Sequence, residues 1–422
     1  MSTSATSDIR RQLDVLVRRE RGRLIADLVA YLGPARLNLA EDVAQDAIVA
    51  ALQTWPYRGL PDKPSAWLAR VARNKAIDRL RRENRETPYL DTLDRRESAE
   101  TDNLFAARVE DPELRLIVLC CNDELAELDQ VALTLKAVSG FTAREISGLF
   151  LMKEAAMGQR LARAKRKLRD VHASSTHGID AAPSRFRLSQ RLRAILKAVY
   201  LMFSLGYAPP AGGDVVRRDV AMEAVRIARE LAYSKATAAP DALALAALLC
   251  LQASRLDARS TPDGALVLLR HQERSRWNQD LIREGLTLLR KAQNTDRVSR
   301  YHIEAGIAAV HAASPSWAAC DWHAIVRLYD QLGAIADSPI VAINAAVARA
   351  MAGNAEEALE TLNELQRQPA LARYAPYYIA RAEVLCQLGH DAEAMGDFEK
   401  ALECDVSTPV LQHLEQRLAS CV

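Results

Sequence analysis

Residues 139–170 have the sequence SGFTAREISGLFLMKEAAMGQRLARAKRKLRD, a pattern typical of a helix-turn-helix. Gly140 can end one helix, and Thr142 with Glu145 three residues later forms a capping box that can start the next. After a turn near Phe150 to Met152, a second helix is expected. Its apolar face would consist of Met157, Leu161, Ala164 and Leu168.

The other face of this second helix is strongly basic, which suits a DNA major groove. We expect its N-terminal part to lie near base edges and its basic C-terminal part near phosphates. A solvated helix on any helical protein would show the same pattern, because helix-turn-helix patterns are short and common. The neighbouring segments therefore have to distinguish the two interpretations.

The composition predicts an all-α protein, because aromatic residues make up only 5% of the chain while alanine and leucine are abundant. The length of 422 residues is enough for about two to four domains. The seven cysteines show neither a CxxC pair nor the Cys/His spacing of a zinc site, so we expect reduced thiols, no metal and a cytoplasmic location. No segment approaches the roughly 18 apolar residues of a membrane span, so no membrane partner is expected.

Two helices of opposite charge are predicted upstream. The first, Leu39 to Trp55, begins with a capping pattern at Asn38 and Glu41. Its polar residues are expected on the surface and include Glu41, Asp42, Gln45, Asp46 and Gln53. An acidic helix of this kind is usually only solvated, but it can also dock a basic partner.

A loop over residues 57–64 leads to the second of these helices, Ser65 to Arg85, which is strongly basic. Its outer face is predicted to carry Arg70, Arg73, Lys75, Arg79, Arg81, Arg82 and Arg85. With Trp67 for stacking and Asn74 for hydrogen bonding, this face would suit nucleic acid with unstacked bases. The alternative is a basic surface helix with Trp67 in the core.

The order of these segments resembles that of a known family, the sigma factors of the sigma-70 class, in the extracytoplasmic-function type that keeps only regions 2 and 4. The motifs that carry the resemblance are AEDVAQDA at residues 40–47, PSAWLARVARNKAIDRLRR at residues 64–82 and the helix-turn-helix segment. The resemblance implies a transcription initiation factor that is not an enzyme and has no cofactor. Its partners would be core RNA polymerase, through the beta-prime clamp and the beta flap, and promoter DNA as duplex and as melted strand.

The resemblance also implies a role for individual residues. Core polymerase would be bound by Asp42, Gln45 and Asp46. The melted minus-10 strand would be bound by Lys63, Trp67, Arg70, Arg73, Asn74, Asp78, Arg79, Arg81 and Arg82. The minus-35 duplex would be bound by Lys153, Glu154, Gln159, Arg160, Arg163, Lys165 and Arg166. Lys153 and Ala156 stand where the family more often has proline and threonine, so a base preference at minus 35 is not carried over.

Five segments are predicted along the chain: region 2 at 1–86, a flexible acidic linker at 87–110, region 4 at 111–172, a second linker at 173–184 and a helical extension at 185–422. The acidic linker is either a simple tether or a mimic of nucleic acid in the polymerase channel. The extension is predicted to consist of successive helices, one of them from Gly264 to Arg274.

An internal repeat marks the end of the extension. Ala346, Gly353, Ala358 and Leu362 recur 36 residues later as Ala382, Gly389, Ala394 and Phe398. The spacing is close to the roughly 34-residue tetratricopeptide period, and stacked helix pairs of that kind make a concave surface for a partner. Cys120 with Cys121, and Trp277, Trp317 and Trp322, are expected to fill cores.

The extension resembles the tetratricopeptide-like C-terminal domain of one subgroup of these sigma factors, through residues 201–207, 275–285 and 312–322. This likeness implies a domain that regulates activity or binds a regulatory protein, although Ser204 and Leu205 depart from the asparagine and acidic residue usual there. The alternative function is a helix-turn-helix regulator with a tetratricopeptide-like sensor domain and no sigma role, which would not need the acidic and basic helices. No metal or catalytic site is predicted at His302, His311 and His323, because their spacing does not bring them to one helix face.

Overall fold

The computed structural model of the protein describes residues 20–86, 111–150, 152–174, 185–210, 212–234, 237–295 and 297–420. Over these residues the chain is helical, with an isolated bridge between Ser260 and Leu266 and no β-strand, so the prediction of an all-α protein is confirmed. The acidic linker at 87–110 and most of the second linker, 175–184, lie outside the described residues. None of the described helices is long and apolar enough to cross a membrane.

The chain divides into two compact units. The first extends to Met202 and includes Ser234–Thr237, and the second consists of Phe203–Tyr233 and the chain from Ala238 onward. The helices of the first unit are residues 20–32, Leu37–Arg58, Pro64–Glu86, Pro112–Cys120, Glu127–Ala137, Ala143–Leu149, Glu154–Ser174 and the part of Arg185–Tyr207 that precedes Phe203. We call Leu37–Arg58 the acidic helix, Pro64–Glu86 the basic helix, Glu127–Ala137 the scaffold helix and Glu154–Ser174 the reading helix.

Two helix starts in this unit are capped by side chains, and one of them is the predicted capping box at Thr142. The Asp111 carboxylate accepts a hydrogen bond from the Leu114 backbone N–H at 2.8 Å, directly before Pro112. Thr142 and Glu145 form the full capping box, with the Thr142 N–H bonded to Glu145 at 2.7 Å and the Glu145 N–H bonded to Thr142 Oγ1 at 3.2 Å. These bonds satisfy backbone donors that a helix start would otherwise leave without partners.

The predicted cap at Asn38 is wrong. A 3₁₀ turn, Pro34–Arg36, leads straight into the acidic helix, so the capping position falls on Arg36, whose side chain makes no cap hydrogen bond. The acidic helix also continues through Pro56 to Arg58, three residues beyond its predicted end at Trp55. The loop before the basic helix is correspondingly shorter and occupies residues 59–63.

The N-terminal helix at 20–32 packs closely on the end of the scaffold helix. Arg21 Nη1 donates to the carbonyl oxygens of Lys136 and Ala137 at 3.1 and 3.2 Å, where a helix C-terminus has carbonyls without internal partners. A Cβ at Gly22 would lie 2.6 Å from the Val138 carbonyl oxygen, so only glycine allows this approach. The upstream helices and the helix-turn-helix therefore belong to one packed body.

The second unit continues as helical pairs. Its helices are the end of Arg185–Tyr207, then Arg218–Tyr233, Pro240–Ala253, Gln279–Ala292, Arg300–Ala313, Trp322–Ile335, Pro339–Met351, Ala355–Leu365, Ala375–Gln387, Asp391–Leu402 and Thr408–Ser420. The internal repeat coincides with the pair Pro339–Met351 and Ala355–Leu365 and the pair Ala375–Gln387 and Asp391–Leu402. Its alanines, Leu362 and Phe398 are fully buried, and both repeat glycines have positive φ where one helix turns into the next.

The predicted helix from Gly264 to Arg274 is wrong. The segment Thr261-Pro-Asp-Gly264 forms a turn, in which the Gly264 N–H donates to the Thr261 carbonyl at 3.0 Å. Proline and glycine occupy the positions that such a turn favours. The chain then folds back, and the Val267 N–H donates to the Arg259 carbonyl at 2.8 Å, followed by two short 3₁₀ turns in place of a helix.

Candidate nucleic-acid interface

The reading helix has the buried face that the sequence predicts. Met157, Leu161, Ala164 and Leu168 are at most 7% exposed and pack the helix onto the first unit. The turn before it is closed by a hydrogen bond from the Met152 N–H to the Ser147 carbonyl at 3.0 Å. The helix is therefore held along one side, and its other side is presented to solvent.

Opposite the buried face lies a stripe of three exposed residues, Gln159, Arg163 and Arg166, which we call the exposed stripe. Residues four and seven positions apart return to nearly the same side, because each helical residue turns by about 100°. Lys153 and Glu154 are also exposed, at the N-terminal end of the helix. Five of the seven residues predicted to contact the minus-35 duplex therefore have exposed side chains.

The remaining two, Arg160 and Lys165, lie at the two edges of the buried face and are only partly exposed. Arg160 Nε lies 2.6 Å from a carboxylate oxygen of Asp129 on the scaffold helix. Lys165 Nζ contacts a carboxylate oxygen of Glu41 on the acidic helix. Both cations are thus neutralised by carboxylates of the same chain.

Glu41 was expected on the surface, and that expectation is wrong. The residue is only 8% exposed, because the acidic helix turns this position toward the reading helix. Its Oε2 atom pairs with Lys165, while Oε1 is buried without a hydrogen-bond partner among the described residues. A carboxylate buried in this way depends on its single cation, since an unpaired charge in a protein interior is costly.

The exposed side of the acidic helix combines charge with apolar surface. Asp42, Gln45 and Asp46, the residues predicted to bind polymerase, are followed at helical spacing by Val49 and Leu52, which are 44% and 38% exposed. We call these five residues the acidic face. The two apolar members were missed from the sequence, although their spacing of three and four residues from Asp42 onward was a usable signal.

Arg79 of the basic helix connects this face to the predicted minus-10 residues. One of its nitrogens lies 3.3 Å from Asp42 and another 2.8 Å from Asp46, so a single guanidinium bridges two carboxylates one helical turn apart. The pairs are partly exposed and contribute little stability by themselves, but they fix the position of Arg79. Arg79 is thereby turned toward the acidic face.

Four residues of the predicted outer side of the basic helix are exposed: Arg70, Arg73, Arg81 and Arg82. Asn74, Asp78 and the loop residue Lys63 are exposed as well, whereas Lys75 and Arg79 are only partly exposed and the side chain of Arg85 lies outside the described part of the chain. Trp67 is half-buried and meets the buried Trp55 edge to face, with ring centroids 5.3 Å apart. This contact agrees partly with both interpretations of Trp67, core packing and stacking on a base. It anchors Trp67 in the core while leaving part of its ring at the surface.

Tyr57, in the last turn of the acidic helix, is 89% exposed, and Leu60 in the following loop is 51% exposed. Neither Tyr57 nor Leu60 was singled out from the sequence, because a loop assignment does not indicate which side chains project. An exposed tyrosine beside a basic helix is suited to stacking on an unpaired base.

Cys120 and Cys121 lie side by side in the core of this unit. Both are fully buried as expected, and burial raises the pKa of Cys120 well above its usual value and that of Cys121 to about 12. Thiols with such pKa values stay protonated near neutral pH and are poor nucleophiles and poor metal ligands.

Comparison with known proteins places these surfaces within matched families. Residues 16–86 match the family model of Sigma-70 region 2, and residues 115–168 match that of Sigma-70, region 4. Residues 191–293 match a family of unknown function, DUF6596. An uncharacterized protein of Rhizobium meliloti (strain 1021) is 36% identical over 412 residues, which cover 96% of this chain and 95% of that protein. No solved structure matches the chain.

Proposed function

The chain belongs to the sigma-70 family, and we propose that it is a sigma factor that binds core RNA polymerase and directs promoter-specific transcription initiation. A role in transcription initiation follows from the two matched regions. The finer proposal assigns polymerase binding to the acidic face, capture of the melted minus-10 strand to the basic helix, and minus-35 recognition to the exposed stripe of the reading helix.

The observation that carries the proposal is the presence of three chemically distinct surfaces on one compact unit. An acidic face with exposed valine and leucine suits a basic protein partner with apolar anchors, because such anchors supply binding energy while the charges select the partner. The basic helix offers Trp67 and a row of arginines, and Tyr57 projects from the last turn of the preceding helix, which together suit single-stranded DNA. The exposed stripe offers an amide and two guanidinium groups at helical spacing, which suits a major groove.

The ion pairs of Arg160 and Lys165 add a step to this mechanism. Since both cations are held by Asp129 and Glu41, promoter phosphates have to compete with those carboxylates. In the proposed mechanism, binding to polymerase and DNA replaces internal pairs with contacts to the partners. The free protein is thus kept from binding DNA with its full set of cations.

We also propose that the second unit regulates this activity or binds a regulatory protein in the cytoplasm. Its repeated helix pairs support the proposal, since stacked pairs of this type present surfaces to other proteins. A truncation that tests it has to retain residues up to Met202, because Arg191 and Lys197 pair with Asp123 and Glu127 of the first unit. If the chain that ends at Met202 and the full chain give the same transcription, the proposal that the second unit regulates activity is wrong.

The main test is transcription in vitro with purified core polymerase, the full chain and genomic promoter fragments. Val49→Asp places a charge in the acidic face and is expected to abolish both core binding and transcription. Val298→Asp, at a valine of the second unit that is 55% exposed, is the matched control and should behave as wild type.

A second pair of variants tests the reading helix. Arg163→Ala is expected to reduce transcription about tenfold, with core binding intact, because one base or phosphate contact is lost. Arg283→Ala, at an exposed arginine of the second unit, is the control. Equal loss of core binding by Arg163→Ala would contradict the assignment, and DNA binding without initiation by the wild type would favour a conventional helix-turn-helix regulator.

A further inference from the structure

Three arginines, a tyrosine, a tryptophan and a histidine lie together in the second unit. We call these residues the arginine cluster: Tyr207, Arg255, Arg259, Arg274, Trp277 and His311. Arg259 and Arg255 have their guanidinium carbons 3.7 and 5.5 Å from the centre of the Tyr207 ring. Arg255 and Arg274 lie 5.7 and 4.3 Å from the centre of the Trp277 ring. The rings therefore alternate with the cations, and each ring serves two of them.

The cluster is largely buried. Arg255 is 9% exposed and Trp277 is 3% exposed, while the other members are half-buried. One nitrogen of Arg255 donates to the Tyr207 hydroxyl at 2.6 Å and also to the Gln252 amide oxygen. One nitrogen of Arg274 donates to the backbone carbonyls of His311 and Ser314. The positions of these cations are thus fixed by neutral groups.

The described residues place no carboxylate in an ion pair with these arginines. Within the described parts of the chain, none of the three arginines forms an ion pair with an aspartate or glutamate, although buried charges in proteins are normally paired. Three donor atoms are also buried without an acceptor in these parts: Nε of Arg259, one terminal nitrogen of Arg274 and the indole nitrogen of Trp277. Over this described portion of the chain, these donors lack hydrogen-bond acceptors, and the arginines lack a negatively charged partner.

The surrounding groups respond to this positive charge. Burial raises the pKa of Tyr207, but the neighbouring Arg255 and Arg259 outweigh burial, so the pKa lies below its usual value. Burial, with the charges of Arg255 and Arg274, lowers the pKa of His311 to about 4, so this ring is neutral near pH 7. Both shifts have the direction that a local excess of positive charge produces.

We propose that the arginine cluster is a binding site for a small anionic ligand whose phosphate or carboxylate oxygens accept from Arg259, Arg274 and Trp277. Guanidinium forks bind such groups through paired hydrogen bonds, and the charge-assisted bonds are strong where water is excluded. A small ligand fits better than a nucleic acid, because Arg255 and Trp277 are too buried to meet an extended backbone. The site goes beyond the proposed function and does not depend on it. Tyr207, Arg255, Arg259, Arg274 and Trp277 lie within the segment that matches the family of unknown function.

The competing interpretation is that the cluster only stabilises the fold through cation and ring contacts, each worth about 0.5 to 2 kcal/mol. The two interpretations differ in how the full chain responds to anions. A structural cluster loses stability when an arginine is removed and has no saturable response to anions. A binding site has a saturable response that depends on the same arginines.

The test follows thermal unfolding of the full chain with inorganic phosphate and, separately, citrate, at constant ionic strength set with sodium chloride. The two probes distinguish a phosphate ligand from a carboxylate ligand. We expect Tm to rise with the logarithm of probe concentration, by roughly 5 °C at a hundredfold excess over the dissociation constant, for at least one probe. Concentrations stay below about 10 mM, because both anions stabilise any protein by exclusion at high concentration.

Arg259→Gln and Arg274→Gln should each lose most of this rise, with binding weakened at least tenfold by calorimetry. Arg259→Lys keeps the charge but loses the planar fork and should give an intermediate response. Arg283→Gln, an exposed arginine of the same unit, should respond as wild type. Absence of saturable binding of either probe to the wild type by calorimetry would overturn the proposal. So would a rise in Tm in Arg259→Gln and Arg274→Gln equal to that of the wild type.

Discussion

Arginine side chains occupy two contrasting settings in this protein. On the reading helix, Arg163 and Arg166 are exposed and have no ion pair among the described residues. In the arginine cluster, Arg255 is 9% exposed and lies between the rings of Tyr207 and Trp277. Its neighbours Arg259 and Arg274 each lie over one of these rings. The same functional group is thus presented to solvent in one unit and enclosed in the other.

The difference indicates which kind of anion each surface can bind. Exposed charges are screened over about 8 Å at physiological salt, so they act best on a polyanion that offers many phosphates. Buried charges are screened much less and cannot follow an extended chain, so they respond to one discrete anion. Lys165 is an intermediate case, because it is partly buried but has a carboxylate partner in Glu41.

The largest effect is expected where a buried pair is broken. Lys165→Met leaves Glu41 buried without its ion-pair partner, which should lower the free energy of unfolding by about 3 kcal/mol and the folding equilibrium constant roughly a hundredfold. Urea denaturation measures this change. The double variant Glu41→Gln/Lys165→Met should recover most of the loss, since it leaves no unpaired charge. A single variant as stable as wild type would show that the pair is not buried in solution.

A smaller effect, on the rate of promoter opening, is expected when Tyr57 is replaced. This variant distinguishes stacking on bases from binding to phosphates. Tyr57→Ala should slow promoter opening about tenfold, because base stacking on an aromatic ring contributes roughly 1 to 3 kcal/mol. Permanganate reactivity of unpaired thymines measures opening, and binding to duplex DNA should be unchanged. Tyr233→Ala, at a tyrosine that is 56% exposed in the second unit, serves as the control. Normal opening by the Tyr57 variant would contradict a stacking role.

Salt dependence compares the two arginine settings directly. Arg166→Gln should reduce the slope of log affinity against log salt for promoter duplex by about one, a roughly fourfold effect between 50 and 200 mM salt. Arg259→Gln should leave this slope unchanged, because that guanidinium is enclosed in the arginine cluster. Fluorescence anisotropy with labelled duplex at several salt concentrations measures both. An unchanged slope for Arg166→Gln would place this residue away from the DNA.

The smallest effect is expected at an exposed pair. A hydrogen bond and the charge of Lys197 lower the pKa of Glu127, despite the opposing effect of partial burial. A lowered carboxylate pKa means that the pair stabilises the fold above the pKa of the unfolded state, and that this contribution disappears as pH falls through the folded-state pKa. Lys197→Ala should therefore cost roughly 0.5 kcal/mol at pH 7 and less at pH 3, measured by urea denaturation. An equal loss of stability at both pH values would show that the loss does not come from the ion pair between Lys197 and Glu127.

Much of the fold was accessible from the sequence because its signals are local. The capping box at Thr142, the buried face of the reading helix and the 36-residue repeat were all predicted from spacings within one helix or one repeat, and all are present. The helix expected from Gly264 to Arg274 failed because the turn beginning at Thr261 outweighs helix propensity. The roles assigned to the polymerase-binding and DNA-binding residues stay predictions.

The sequence by itself determined the helical class, the faces of the helices, the repeat and the sigma-70 family, because each depends on residues a few positions apart or on motifs in a fixed order. Only the tertiary structure decided that Glu41 is buried beside Lys165 and that three arginines meet around Tyr207 and Trp277. Tyr207 and Arg255 are 48 positions apart, and Arg274 and His311 are 37 apart. Contacts over such separations are set by how helices pack, and no local periodicity encodes them.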